Sequence, residues 1–138
     1  MLGLFGFGSS TMLLLYPLAG VQSSHIQGHV PRQFDTVLKR DLMIYFQDLN
    51  REVVRVEYEL LRDIPTQVGV ALPKYYIWVK IYGEKGMIDQ GAVKVAAIEK
   101  KHFTVLNYLA IADLKKSPER ISQVFPVALG DKIRAKLK

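Results

Sequence analysis

No charged side chain occurs before Arg32. The stretch ahead of it, MLGLFGFGSSTMLLLYPLAGVQSSHIQGHVP, is apolar, small or neutral polar, and beyond it charges arrive every few residues. That break divides the chain into a neutral segment with its linker, residues 1–31, and one basic domain, residues 32–138. The segment reads as an export signal, a membrane anchor or a docking arm.

Each reading has its own residues. Thr11 to Val21 (TMLLLYPLAGV) has the length of a signal-peptide apolar region, and Val21-Gln22-Ser23 offers small residues for cleavage after Ser23. No Lys or Arg precedes it, so the positive n-region of a signal is missing. As a helix, Met1 to Val21 reaches about 31 Å at about 1.5 Å per residue, enough for a hydrocarbon core of about 30 Å. Arg32, Lys39 and Arg40 on its C-terminal flank would then hold the domain on the cytoplasmic side. Gly3 to Ser10 (GLFGFGSS) has glycines but no Lys after them and no strand before them, which excludes a phosphate-binding loop. Gln22 to Pro31 has linker composition.

The domain is long enough to bury an ordinary core without staples. Cysteine is absent, which excludes disulfide scaffolds, thiolate metal sites and cysteine nucleophiles and leaves the redox compartment open. The formal charge is +6, and Asp113 to Lys138 carries seven Lys/Arg against three Asp/Glu, or +4 of that total. A basic field favours acidic partners, anionic headgroups or nucleic acid, although a short charge run also marks an ordinary solvated helix.

Phe34, Val37, Leu38, Leu42, Tyr45, Phe46 and Leu49 recur every three to four residues and predict an amphipathic helix ending at Asn50, with Asp35 and Lys39 paired one turn apart. From Val54 the period becomes two. Val54, Val56, Tyr58 and Leu60 point inward and Arg55, Glu57 and Glu59 outward, which predicts a half-buried strand ended by Asp63-Ile64-Pro65-Thr66. In the next strand Tyr75, Ile77, Val79 and Ile81 form the inward set. Gly83-Glu84-Lys85-Gly86 reads as a hairpin loop, Ala92 to Ile98 as a third strand, and Phe103, Val105 and Leu106 as a short fourth. Ser117-Pro118 reads as an N-cap with its N1 proline, and Leu129, Ile133 and Leu137 as a second helical stripe after Pro126.

The expected fold is α+β, an N-terminal helix on a three- to four-stranded antiparallel curled sheet with a broken C-terminal helix, the helices covering one sheet face. In element order alone this layout is similar to cystatin-like and nuclear-transport-factor-like architectures, and no motif extends the similarity to a site.

No catalytic residue, metal ligand or cofactor motif emerges. His25 and His29 have the spacing of a zinc-peptidase pair but lack the intervening Glu and a helical context. His102, at a strand end, reads as a loop residue. Glu57 and Glu59 stand about 7 Å apart on one strand face, a glycosidase-like spacing, but their interleaving with Arg55 reads as solvent-facing, cross-strand ion pairs. The candidate binding face is Tyr76, Trp78, Lys80 and Tyr82, which alternate opposite the aliphatic set of their strand. Uncovered, they form an aromatic platform with a cation. Covered, they are a second core layer. The lysine argues that its own end reaches solvent, and the expectation is that Trp78 is partly exposed, or covered by a partner, a second subunit or the N-terminal segment.

The leading functional reading is a non-enzymatic domain, exported or membrane-associated through residues 1–21, that binds a protein partner or its own copies. The alternatives are a small-molecule or enzymatic pocket domain, with a cavity lined by Tyr58, Tyr75 and Ile77 under the first helix, and a cytoplasmic nucleic-acid binder using Trp78, the tyrosines and the basic C-terminus.

Overall fold

Leu38, Leu42 and Phe46, spaced by four, put one apolar stripe along the helix that the spacing predicts. In the computed structural model this helix is α1, Phe34–Leu49, and all three side chains are buried. The structure describes residues 30–66 and 71–138. The neutral segment before Val30, with its signal, anchor and docking readings, lies outside the described residues, as do His25 and His29. Asp35 and Lys39 pair at 3.4 Å, as their spacing implies. Leu49 is a correction: it ends the helix with its side chain 61% exposed, because the stripe that meets the sheet stops one turn earlier at Phe46.

Four antiparallel strands follow: β1 (Arg55–Leu60), β2 (Lys74–Gly83), β3 (Gly86–Ile98) and β4 (His102–Ala110), ordered β1-β2-β3-β4. Val56 lies opposite Ile81, Tyr58 opposite Val79, and Tyr75 opposite Val95. The pleat therefore gathers Val56, Tyr75, Ile77, Val79, Ile81, Val93, Val95, Ala97 and Phe103 with the α1 stripe into one core layer. Aromatic rings fill it edge to face, with Phe34 4.9 Å from Tyr75 and 5.1 Å from Phe103, and Phe46 4.9 Å from Tyr108. Asp41 accepts the Phe103 amide at 2.7 Å and Arg40 donates to the Lys101 carbonyl at 2.9 Å, fastening α1 to the β3–β4 hairpin.

Val54 is a second correction. It precedes the strand, gives its amide to the Tyr82 carbonyl, and is 50% exposed rather than inward. The fourth strand is longer than the alternation implies, because the register shifts between Lys94 and Val95 and leaves Leu106 as the extra residue on β4. That bulge lets Val105 and Tyr108 share the α1 side although they are three apart.

The β3–β4 turn places Glu99 at φ 50° and Lys100 at φ 61°, a left-handed pair where hairpins of this hand favour Asn-Gly. Each L-residue there costs about 1–2 kcal/mol. Lys100→Gly is therefore expected to stabilise the fold by about 1 kcal/mol, raising the melting temperature by several degrees. A lower melting temperature would show that Lys100 makes a contact worth more than its strain.

The chain beyond β4 forms α2 (Ile111–Lys116), α3 (Arg120–Val124), a 3-10 turn (Val127–Leu129) and α4 (Gly130–Lys136). Ser117-Pro118 makes the turn between α2 and α3 rather than the cap itself, with the Arg120 amide bonded to the Ser117 carbonyl and the Ile121 amide to the Pro118 carbonyl. Leu114, Ile121, Phe125, Leu129 and Ile133 from these pieces pack onto Tyr76, Trp78, Ala92 and Leu109, the opposite sheet face. Helices thus cover both faces, not one. Lys132 donates to the Leu61 carbonyl at 2.9 Å and Lys136 pairs with Glu59 at 2.6 Å, tying α4 to the β1 side.

Candidate functional site

Tyr76, Trp78, Lys80 and Tyr82 do lie on one side of β2, but they occupy two environments. Tyr76 and Trp78 are 4% and 1% exposed, closed over by the C-terminal helices. Their polar atoms are satisfied inside the protein. The Trp78 indole donates to Gln90 Oε1 at 3.1 Å, and the Tyr76 hydroxyl bonds to the Thr66 hydroxyl. Among the described residues the cover is this chain's own C-terminal helices, so these two rings belong to a second core layer.

Lys80 and Tyr82 form the open end of the same face. Lys80 is exposed, as its charge requires, with Glu57 and Gln90 opposite it across the two ladders. Tyr82 is half-buried, its hydroxyl 3.3 Å from Glu57 Oε1 and its ring under the Arg55 guanidinium, 4.1 Å from the centroid. Arg55 also pairs with Glu57 at 3.4 Å. Glu57 and Glu59 are thus held by Arg55 of the same strand and by Lys136 of α4, an ion-paired solvent face as their interleaving predicts, although the pairs are not the cross-strand ones expected. A shallow cleft of about 120 Å³ lies between Glu57, Glu59 and Lys80.

Two phenol–carboxylate pairs close the α1 layer. Tyr58 donates to Asp35 Oδ1 at 2.8 Å and Tyr108 to Asp89 Oδ2 at 2.9 Å. Burial, reinforced by Asp35, pushes the Tyr58 phenol up to about 12. Burial and Asp89 drive the Tyr108 phenol well above its ordinary range. These tyrosines stay protonated donors near neutrality and serve as structural ties rather than bases. Tyr75, which with Ile77 would line a pocket under α1, is packed against Phe34 and Phe103, and its burial raises the phenol to about 12.

A raised phenol pKa means that the folded state holds its proton more tightly than the unfolded state. The stabilisation is complete below the unfolded pKa near 10 and is lost as pH rises from there toward 12. The melting temperature is expected to fall over that interval, and Tyr75→Phe to flatten part of the fall. An unchanged alkaline slope in the variant would show that Tyr75 ionises freely.

A larger cleft lies elsewhere, at the end of the sheet where the α1–β1 turn meets the β2–β3 hairpin. It holds about 510 Å³. Val54, Met87 and Ile88, 50%, 49% and 42% exposed, form its apolar lining, and Arg51, Glu52, Glu84 and Lys85 add both signs of charge. A bulge builds this surface. Ile81 pairs with Asp89 and Tyr82 with Met87, so Ile88 is an extra residue turned out of the ladder. Gly83 makes room for it, since a Cβ there would stand 2.9 Å from Ile88 Cδ1. Alternation alone does not reveal this surface, because it places Val54 inward and carries no sign of the bulge.

Among the described residues no group of three or more His, Cys, Asp or Glu is arranged to hold a metal, and no helix is long and apolar enough to cross a membrane. Searches of known protein families, of curated proteins and of solved structures give no match to this chain.

Proposed function

We propose that this chain is a non-catalytic domain, exported or membrane-associated, that holds a protein partner. The observation that carries this reading is the exposed apolar set Val54, Met87 and Ile88 around an open cleft with a mixed-charge rim. An interface core needs apolar side chains that water leaves readily, and a rim of both charges selects among partners. The neutral segment over 1–31 supports placement at or across a membrane. The closing of Tyr76 and Trp78 takes two of the three rings out of the stacking platform of the nucleic-acid alternative and so favours the protein-binding reading over it. The packing of Tyr75 and Ile77 likewise fills the place where the pocket alternative puts its cavity.

The test is photo-crosslinking from position 87 of the full chain in the cells that make it. A discrete protein adduct is expected, and Val54→Asp should remove it without altering the melt. A folded chain that gives no protein adduct from this position would overturn the reading. Intact mass and fractionation of the same samples report whether the neutral segment is cleaved or retained in membranes.

A further inference from the structure

The sheet has two edge strands, and they are built differently. On β1, Arg55, Glu57 and Glu59 alternate along the strand, and Lys136 holds Glu59 at 2.6 Å. Charges of this kind guard an edge against adding another strand. On β4 the sequence HFTVLNYLA has no Asp, Glu, Lys, Arg or Pro. Among the described residues only its start is closed, where Asp41 takes the Phe103 amide. From Thr104 to Ala110, among the described residues, no backbone hydrogen bond joins the outer side of β4 to another segment.

We propose that β4 is a pairing edge on which a second copy of this chain adds its own β4, antiparallel about a two-fold axis. The proposal rests on reading the chain as a protein-binding domain and names a second surface and its occupant. The absence of charge favours a copy. A two-fold antiparallel pair sets each residue of the strand against the mirrored position of the copy, and β4, with no Asp, Glu, Lys or Arg, meets no like charge in any register. The Leu106 bulge sharpens the local twist, and a copy brings a strand of the same twist.

Side chains beside the edge extend the contact. Leu106 is 44% exposed at the bulge and Ile44 is 54% exposed on α1. Ile44 stands one helical turn beyond Arg40 and Asp41, whose bonds to Lys101 and Phe103 set that flank along β4. A backbone ladder alone falls short of the roughly 1,000 Å² that a specific interface buries, so these apolar side chains are part of it. Because each chain carries a formal +6, pairing strengthens as salt screens the repulsion.

The chain has no cysteine, which makes the test clean. Full-length Leu106→Cys in mild detergent is treated with a short bifunctional maleimide, which tolerates a register offset of a residue or two. Ile88→Cys, of similar exposure at the bulge between β2 and β3, is the control. The expected result is a covalent dimer from position 106 and not from 88. Sedimentation should show a wild-type dimer that tightens with salt and loosens by about tenfold in Leu106→Lys, with an unchanged melt. Three results would overturn the proposal: a monomer at every concentration, equal cross-linking from both positions, or a dimer indifferent to Leu106→Lys. A monomer that still gives the position-87 adduct would lose self-pairing and keep the partner reading. A dimer without that adduct would do the reverse.

Discussion

Trp78→Ala is expected to cost about 3–5 kcal/mol, the range for truncating a buried tryptophan. Total stabilities of small domains are about 5–15 kcal/mol, so this one change is expected to bring the protein close to its unfolding threshold. The indole is 1% exposed at the centre of the layer formed with Leu114, Ile121, Phe125, Leu129 and Ile133. Removing it empties that space and leaves the Gln90 side-chain oxygen without its donor. Trp78→Phe retains most of the apolar volume and should recover a large part of the loss. Denaturant unfolding of both variants checks this, and a loss below about 1 kcal/mol for Trp78→Ala would mean that the C-terminal helices do not hold that face closed.

The second large effect belongs to the other layer. Leu42 is fully buried in the middle of the α1 stripe, facing the side of the sheet that carries Ile77, Val79 and Val93. Leu42→Ala is expected to cost about 2–5 kcal/mol. Leu49→Ala, on the same helix but exposed, should stay within about 0.5 kcal/mol. The contrast fixes the rotational phase of α1 more sharply than either value alone. Equal losses at the two positions would rotate the helix away from the arrangement described.

The parts of this fold legible in the sequence are those with a long, unbroken period. α1 shows through Leu38, Leu42 and Phe46, β2 through Tyr75, Ile77, Val79 and Ile81, and the β2–β3 turn through Gly83 and Gly86, whose φ of 128° requires glycine. Two kinds of feature were not legible. Each bulge, at Ile88 and at Leu106, inserts one residue that resets the alternation, so the full extent of β4 and the apolar lining of the cleft have no periodic sign. Of the C-terminal helices, the break at Pro126 and the Leu129 and Ile133 stripe are legible, but α2 is only six residues long and begins directly where β4 ends, so no period marks it.

The aromatic set on β2 shows the same limit at the level of the site. The pleat correctly places Tyr76, Trp78, Lys80 and Tyr82 on one side, because that is a local property of a strand. What covers each of them is not local. It depends on Leu114, Phe125 and Ile133, some 36 to 55 residues from Trp78 in the chain. Lys80 was the informative residue, since its charge marks where the cover stops.

Trp78 is the only tryptophan in the chain, so its emission reports one position. Fluorescence of the folded full chain, read with acrylamide as quencher, tests directly whether the C-terminal helices close the second sheet face. Blue-shifted emission, shielded from quencher until the chain unfolds, is the expected result. Red-shifted emission quenched as readily in the folded as in the unfolded protein would contradict the two-layer core and reopen the β2 face as a binding surface.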